Sequence, residues 1–230
     1  MAKQFIFYDT ETTGTNVDKD RIIEIAAYYP FKDKSFSSYV KPDIPVPTQA
    51  TAIHGISDEM LTDAPSFKTV FHQLKEFCGD EVILVAHNND NFDAPLFARE
   101  CQRHSIPELE FPTLDSLKWA RKYRTDLPRH NLQYLRQLYG INVNQAHRAL
   151  DDVIVLHQLF SIMIGDLDAE TVLRLMSEEE CPLTMTFGKY KGKSLEEIPD
   201  SYFKWLREQG ALDKPENEKL RKAIDKCKSC

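Results

Sequence analysis

The stretch from Phe5 to Gly14, FIFYDTETTG, is an apolar run that ends in two closely spaced acids. Its aromatic and β-branched residues, Gln4 to Tyr8, predict a short buried strand that runs into Asp9 and Glu11. Side chains at i and i+2 of an extended chain point to the same side, so these two carboxylates converge. Buried like charges repel unless a cation lies between them, and a divalent ion is the simplest partner. The alternative is a solvated strand end, or an Asx turn into Thr12-Thr13-Gly14.

The pattern on either side of this stretch predicts an α/β fold. Apolar runs predict strands at Arg21–Tyr28, Lys34–Val40 and Glu81–Ala86, and the short links make the first three strands antiparallel. The spacing of apolar residues predicts helices at 66–78, 94–104, 114–123, 132–139 and 149–164. Residues 41–65 are rich in Pro and Thr and are predicted to be irregular. We therefore expect a mixed sheet with helices packed against it.

Length and charge predict two units of unequal size. The chain has 230 residues and a net charge of −7, which excludes a simple polybasic nucleic-acid coat. The charge is uneven, because residues 182–230 hold 11 Lys and Arg against 8 Asp and Glu. We expect a domain at 1–176, a charged linker at 177–183 and a small basic accessory domain at 184–230.

The same composition predicts where the protein acts. No run of 18 apolar residues exists, and the chain starts without an apolar signal segment. Its five cysteines form no evident disulfide framework. We therefore expect a cytoplasmic protein that does not enter the membrane.

Three further residues stand where a carboxylate or a histidine could do chemistry. Asp93 begins a predicted helix, where a carboxylate is also favoured simply by the helix dipole. Asp152 lies three residues after Ala149 and four before Leu156, so it falls in an apolar stripe and needs a partner. Its neighbour Asp151 points more toward solvent, although a swap of the two stays open. His147 precedes this helix and is either a cap or surface residue or, near a metal, a proton acceptor.

These acids and His147 lie in three ordered motifs that resemble those of the DEDDh (DnaQ-like) 3′→5′ exonucleases. That family includes the epsilon proofreading subunit of bacterial DNA polymerase III and stand-alone repair exonucleases. The matching segments, which begin at Phe5, Val85 and His147, are FIFYDTETTG, VAHNNDNFDAPLF and HRALDD. The resemblance covers roughly residues 3–165. One extra residue between His87 and Asp93 is closer to the spacing of the stand-alone enzymes than to that of epsilon.

The resemblance implies an RNase H-like mixed five-stranded sheet and a centre for two Mg²⁺ ions, which Mn²⁺ can replace. The implied metal ligands are Asp9, Glu11, Asp93 and Asp152, and hard oxygen donors of this kind suit Mg²⁺. His147 is implied as the base that takes a proton from the attacking water. The residues implied in holding the terminal nucleotide are Thr10, Thr12, Thr13, Ile53, His54 and Asn88. From the residues alone, Ile53 could equally be a core residue and Asn88 a turn residue.

The activity implied is hydrolysis of terminal phosphodiester bonds of DNA, in single strands or 3′ overhangs, with release of nucleoside 5′-monophosphates in repair or proofreading. An exoribonuclease that trims RNA 3′ ends, or a proofreading subunit that acts with a polymerase, is the alternative. DNA is therefore the partner favoured over RNA, and a homodimer or a polymerase association stays open.

Residues 184–209 resemble a small bacterial domain of unknown function that carries the label of a quorum-sensing-regulated virulence factor. Its segment Phe187–Lys193, FGKYKGK, has two glycines that could let the backbone approach phosphates closely. Two interpretations stay open, an accessory nucleic-acid contact and a module for packing or partner binding.

Overall fold

The structure is a computed structural model that describes residues 3–108, 110–141, 149–177 and 184–227. The chain separates into two compact units, Met1–Arg174 and Leu175–Cys230. The predicted linker at 177–183 falls almost wholly outside the described residues, so the domain bounds stay a prediction. In the described ranges, every helix is too short or too polar to cross a membrane.

A mixed five-stranded sheet forms the centre of the first unit. Its strands are β1 (Gln4–Thr12), β2 (Ile22–Tyr29), β3 (Lys34–Tyr39), β4 (Val82–Ala86) and β5 (Thr113–Asp115), in the spatial order β3-β2-β1-β4-β5. β2 pairs antiparallel with both β1 and β3, whereas β4 pairs parallel with β1 and β5. The predicted mixed five-stranded sheet is thus confirmed. β1 and β4, being parallel neighbours, bring their carboxyl ends to the same edge.

The helices of the first unit mostly follow the predicted pattern, with two corrections. They are α1 (Thr48–His54), α2 (Phe67–Cys78), α3 (Asp93–Arg103), α4 (Ser116–Tyr123), α5 (Leu132–Leu138), α6 (Ala149–Ile164) and α7 (Ala169–Ser177), of which α7 runs past the unit boundary. The prediction that 41–65 is irregular was wrong, because α1 and a 3₁₀ turn at Asp58–Leu61 lie there. The prediction of a helix from Leu114 was also wrong at its start, because that residue lies in β5.

Alternation along β1 sends its side chains to two different layers. Ile6 and Tyr8 join an apolar core that contains α2 and α3 residues such as Leu74 and Leu96. Phe7 and its neighbour Phe5 face the other way, with ring centroids 5.9 and 5.7 Å from that of Phe160 on α6. Because side chains alternate along a strand, each following residue of β1 faces either the layer of α2 and α3 or the layer of α6.

The second unit is a small helical cluster with its own core. It contains α8 (Asp200–Glu208), α9 (Glu218–Cys227) and 3₁₀ turns at Leu195–Glu197 and Pro215–Asn217. Its buried apolar residues are Met185, Leu195, Ile198, Phe203, Leu206, Leu212, Leu220, Ala223 and Ile224. A core of this kind gives the unit an apolar centre independent of the sheet.

Candidate active site

Three predicted carboxylates meet on the α6 side of the sheet. Asp9 and Glu11 continue the face of β1 that carries Phe7, and Asp152 lies in the first turn of α6. One carboxylate oxygen from each of the three lies within 4.8 Å of the other two. Asp152 is buried while Asp151 is only partly so, as the apolar stripe indicates. The geometry thus brings together acids from two segments that are far apart in sequence.

Asp93 approaches the same edge of the sheet from the opposite layer. It is the first residue of α3, is 2% exposed, and accepts a 2.8 Å hydrogen bond from the Thr10 hydroxyl. Burial raises the pKa of Asp93 to about 7, although the hydrogen bond from Thr10 acts in the opposite direction. Asp93 in turn raises the pKa of Asp9, so the two carboxylates are electrostatically linked across β1.

Burial and repulsion between neighbouring carboxylates disfavour the ionised forms of Asp9 and Glu11. Burial, followed by Asp93, Glu11 and Asp152, raises the pKa of Asp9 well above its usual value. The pKa of Glu11 is raised to about 8 by burial and then by Asp152. Apart from burial, the causes that raise the pKa of Asp9 and of Glu11 are all nearby carboxylates among the described residues. A hard divalent cation such as Mg²⁺ fits this donor set, because it supplies the missing positive charge.

Glu24 is a further acid at this site that the sequence interpretation missed. It lies opposite Glu11 in the β1–β2 ladder, is 2% exposed, and accepts a 3.3 Å hydrogen bond from the hydroxyl of Ser37. Glu24 also raises the pKa of Glu11. The signal was present, since a single acid inside the apolar run RIIEIAAY must face inward or find a partner.

The loop that leads into α3 is held by Asp115, a second residue that was missed. The Asp115 carboxylate accepts backbone hydrogen bonds from Asn88 at 3.0 Å and Asp90 at 3.2 Å, and it also caps α4. Asn88 has a positive φ of 71°, and its side chain accepts a hydrogen bond from Asn91 at 3.1 Å. The structure therefore gives Asn88 a turn-forming role, and its predicted contact with the nucleic-acid strand stays a prediction.

The two threonines after Glu11 shape the loop that leaves the site. Thr12 donates a hydrogen bond to the carbonyl of Gly14 at 2.7 Å, and Thr13 donates one to Asp20 at 3.0 Å. A Cβ at Gly14 would lie 2.6 Å from an Asp20 carboxylate oxygen, so any larger residue there would have to displace the Asp20 side chain. Both threonine hydroxyls are thus already engaged within the loop. Their predicted contact with a terminal nucleotide remains a prediction.

Ile53 and His54 end α1 and differ sharply in exposure. Ile53 is 66% exposed, so the alternative that it is a core residue was wrong. His54 is buried, and its Nδ1 accepts a 3.0 Å hydrogen bond from the backbone of Ile56. Burial lowers the pKa of His54. Ile53 is therefore an apolar side chain available to a ligand, while His54 supports the turn that follows it.

His147, the predicted base, lies outside the described residues, as do its neighbours from 142 to 148. Its place in the site stays a prediction from the third motif. Asp152, five residues later in that motif, is described and lies in the carboxylate cluster.

Comparisons with known proteins agree with this geometry. Residues 6–160 match the protein family described as “Exonuclease”. DNA polymerase III of the PolC type from Streptococcus pyogenes is 32% identical over 165 residues, which are 70% of this chain and 11% of that protein. The chain thus spans about a tenth of the length of the curated relatives it matches.

Two solved structures share the fold. One is Exonuclease X in complex with 5′ overhanging duplex DNA, at 27% identity and a TM-score of 0.59, covering 75% of this chain and 99% of that one. The other is the nuclease domain of 3′hExo, a DEDDh family member bound to rAMP, at 18% identity and a TM-score of 0.60, covering 72% of this chain and 93% of that one.

The second unit has a match of its own. Residues 173–219 match the family described as “Putative quorum-sensing-regulated virulence factor”, in agreement with the resemblance of the FGKYKGK segment. The larger match, over residues 6–160, covers more than half of the sequence and contains the whole carboxylate cluster. This chain therefore belongs to the DEDDh (DnaQ-like) exonuclease family.

Proposed function

We propose that this protein is a metal-dependent 3′→5′ exonuclease that removes nucleotides from single-stranded DNA and 3′ overhangs in repair or proofreading. The observation that carries the proposal is the convergence of Asp9, Glu11 and Asp152, whose oxygens lie within 4.8 Å of one another. Because burial and mutual repulsion raise the pKa of Glu11 to about 8, the cluster favours the binding of positive charge.

Two Mg²⁺ ions, or Mn²⁺ in their place, are the cofactors that this donor set would hold. Asp9, Glu11, Asp93 and Asp152 are the proposed ligands. When bound, such ions neutralise charge on the scissile phosphate and on the attacking and leaving oxygens. They also give an acidic protein local positive charge at the point where it meets a polyanion.

The proposed reaction is hydrolysis of the last phosphodiester bond. Water forms the new bond to phosphorus, the bond to the 3′ oxygen of the preceding nucleotide breaks, and a nucleoside 5′-monophosphate leaves. His147 accepts the proton of the attacking water, since its ordinary pKa lies close to neutral pH.

Thr10 positions Asp93 through its hydroxyl. Ile53 offers an exposed apolar surface to the terminal base, and Thr12, Thr13, His54 and Asn88 shape the surrounding loops.

Similarity to Exonuclease X, which was solved with DNA, supports DNA as the substrate. The similarity to PolC-type DNA polymerase III favours a second candidate, proofreading in association with a polymerase. A homodimer stays a prediction, as does a cytoplasmic location.

The decisive experiment offers 5′-labelled single-stranded DNA, duplex DNA with a 3′ overhang, and RNA to the protein with Mg²⁺, Mn²⁺ or EDTA. We expect a ladder that shortens from the 3′ end of DNA, release of 5′-monophosphates, and no products in EDTA. Faster loss of RNA than of DNA would instead support the exoribonuclease alternative, and internal cuts or shortening from the 5′ end would contradict the proposal.

Three variants test the site itself. Asp9→Asn and Asp152→Asn should lose nearly all turnover while their circular dichroism spectra stay unchanged. Asp151→Asn is the matched control, because this neighbour lies outside the carboxylate cluster and should keep its rate. Loss in Asp151→Asn together with full activity in Asp152→Asn would reverse the assignment of the two acids.

A further inference from the structure

The second unit presents a turn whose exposed side chains are rich in lysine. Met185 donates a 2.8 Å backbone hydrogen bond to Lys193, and Gly192 donates one of 2.8 Å back to Met185. Gly188 and Gly192 have positive φ values of 73° and 83°, which let the chain reverse within a few residues. The tight turn leaves the side chains of Lys189, Lys191 and Lys193 exposed.

An aromatic cluster lies directly against this turn. The Tyr202 hydroxyl accepts a 3.2 Å hydrogen bond from the backbone of Lys189, and its ring meets that of Tyr190 edge-on at 4.8 Å. A Cβ at Gly188 would lie 2.5 Å from the Tyr202 hydroxyl oxygen, so a larger residue there would have to displace the Tyr202 ring. The Lys189 ammonium lies 5.3 Å from the centre of the Tyr190 ring. Turn and cluster are therefore one connected structure.

Trp205 extends the cluster onto the surface. Its ring stacks on Tyr202 at 5.6 Å with an angle of 24° between the planes, and its side chain is 50% exposed. Phe203 and Leu206 of the same helix already fill the core of the unit, so Trp205 contributes little to that core. Beside it lies a concave surface that is lined by Phe187, Gly188, Lys189, Tyr202, Trp205, Leu206 and Ala211. We name Tyr202, Trp205 and the three lysines the Trp205 platform.

The charge of the platform is positive and unbalanced. No Asp or Glu occurs from Thr184 to Leu195. Within the described part of the chain, no carboxylate pairs with the ammonium groups of the three lysines, whereas Arg207 and Arg221 of the same unit pair with Asp225 and Asp213. The platform thus joins an exposed flat aromatic ring with cations that have no carboxylate partner among the described residues. Single-stranded nucleic acid has the complementary chemistry, a stackable base and a phosphate at each step.

We propose that the Trp205 platform binds single-stranded DNA, with a base stacked on Trp205 and phosphates contacted by Lys189, Lys191 and Lys193. The choice of DNA rests on the proposed function, because a nuclease in the same chain acts on such a strand. The platform's residues lie between 189 and 205, and none of them belongs to the carboxylate cluster. A protein partner is the other occupant that an aromatic concavity could take, but three unpaired lysines favour a polyanion.

The test measures binding of 5′-fluorescein-labelled dT16 to the full chain in EDTA, where hydrolysis does not interfere. We expect Trp205→Ala to weaken binding by about 5- to 100-fold, the effect of losing one base–aromatic stack. The triple variant Lys189→Ala, Lys191→Ala, Lys193→Ala should weaken binding and reduce its salt slope by about 0.7 for each lost phosphate contact. Lys219→Ala, an exposed lysine of α9, is the matched control and should bind as the unaltered chain does.

Tryptophan fluorescence gives a second readout, since the only other tryptophan, Trp119, is 2% exposed. Binding of dT16 should quench the emission that Trp205→Phe removes. The lysine variants change only exposed side chains, so they test the proposal even if Trp205→Ala proves unstable. Unchanged affinity and salt slope in the folded Trp205→Ala and lysine variants would overturn it and leave the concavity to a protein partner.

DNA binding by the Trp205 platform and hydrolysis at the carboxylate cluster can be tested separately. Hydrolysis of a trinucleotide with Mg²⁺ requires only the carboxylate cluster, so it reports on the proposed nuclease site. We expect the platform variants to hydrolyse the trinucleotide at the unaltered rate. Normal hydrolysis with unaltered dT16 binding would refute only the platform, whereas platform-dependent binding without any hydrolysis would refute only the nuclease.

Discussion

The hydroxyl of Thr10 donates a 2.8 Å hydrogen bond to the carboxylate of Asp93, which lies 83 positions further along the chain. Both side chains are buried. β1 thus contributes to the site from both of its faces, with Asp9 and Glu11 on the α6 side and Thr10 on the α3 side. The bond fixes an acid of one helix layer relative to the acids of the other.

Replacing Thr10 by Val should weaken metal binding without breaking the fold. The change keeps the shape but removes the donor, so the pKa of Asp93, already raised to about 7, should rise further. We expect Mn²⁺ affinity at pH 7 to fall by about 10-fold or more, as for other residues that orient a metal ligand. Isothermal titration with Mn²⁺ measures this. Thr10→Ser keeps the hydroxyl donor and is the control. Equal Mn²⁺ affinity in Thr10→Val and Thr10→Ser would show that the hydrogen bond to Asp93 does not contribute to metal binding.

Glu11 should make the metal-free protein less stable as pH rises. Its pKa is raised in the folded state from 4.5 to about 8, so between these values the folded chain holds a proton that the unfolded chain has lost. Stability from this group is complete below pH 4.5 and is lost as pH rises toward 8. In EDTA, Glu11→Gln should therefore flatten the fall of the melting temperature over this range. Mn²⁺ should also flatten the fall of the melting temperature in the unaltered protein, because the bound ion takes the place of the proton.

The exposed Glu76 of α2 supplies the control for loss of one carboxylate. Glu76→Gln should leave the pH dependence of the melting temperature as it is. A melting temperature that falls from pH 5 to 8 as steeply in Glu11→Gln as in the unaltered chain would contradict the raised pKa of Glu11.

Removing His147 should slow the chemical step. Without a base to accept the proton of the attacking water, we expect His147→Ala to lower kcat by about 100-fold or more. The acidic limb of the pH–rate profile should flatten as well, since that limb reports the base. Single-turnover hydrolysis of labelled DNA measures both. His72→Ala changes an exposed histidine of α2 and should not alter the rate, and an undiminished rate in His147→Ala would remove this residue from the mechanism.

Ile53 should affect substrate binding more than stability. Because its side chain is 66% exposed, truncation to Ala leaves no cavity, and the free energy of unfolding should change by less than about 0.5 kcal/mol. If a terminal base packs on it, KM for DNA should rise by about fivefold, as expected for lost apolar contact. Ile162→Ala, at a side chain that is 52% exposed on α6, is the matched control. A KM that moves equally in both variants would argue against a specific contact.

The direction of each carboxylate was predictable from two simple periods, whereas the meeting of Asp152 with Asp9 and Glu11 was implied only by the resemblance of the three motifs. The i, i+2 spacing placed Asp9 and Glu11 on one face, and the spacing of Asp152 from Ala149 and Leu156 turned it inward. These rules succeed because they depend only on backbone geometry. The assignment of α3 to the opposite layer, and hence the bond between Thr10 and Asp93, required the tertiary structure.

Elements that the sequence did not reveal are short or held by distant partners. β5 has three residues and forms by pairing with β4, so it is too short to show an alternation of apolar and polar residues in the sequence. α1 has seven residues after Pro47 and buries only His54, which leaves no apolar stripe to detect. The position of Asp115 at the end of β5 makes it both a helix cap and an anchor for the loop at Asn88. Such roles follow from contacts between segments and not from local pattern.

The placement of Asp152 on α6, after every strand of the sheet, has a consequence during protein synthesis. A nascent chain that has left the ribosome only as far as α3 already contains Asp9, Glu11 and Asp93 but cannot assemble the cluster of Asp9, Glu11 and Asp152. The complete set of proposed ligands therefore forms only once α6 has emerged and docked on β1, so a partly made chain should not yet hydrolyse nucleic acid.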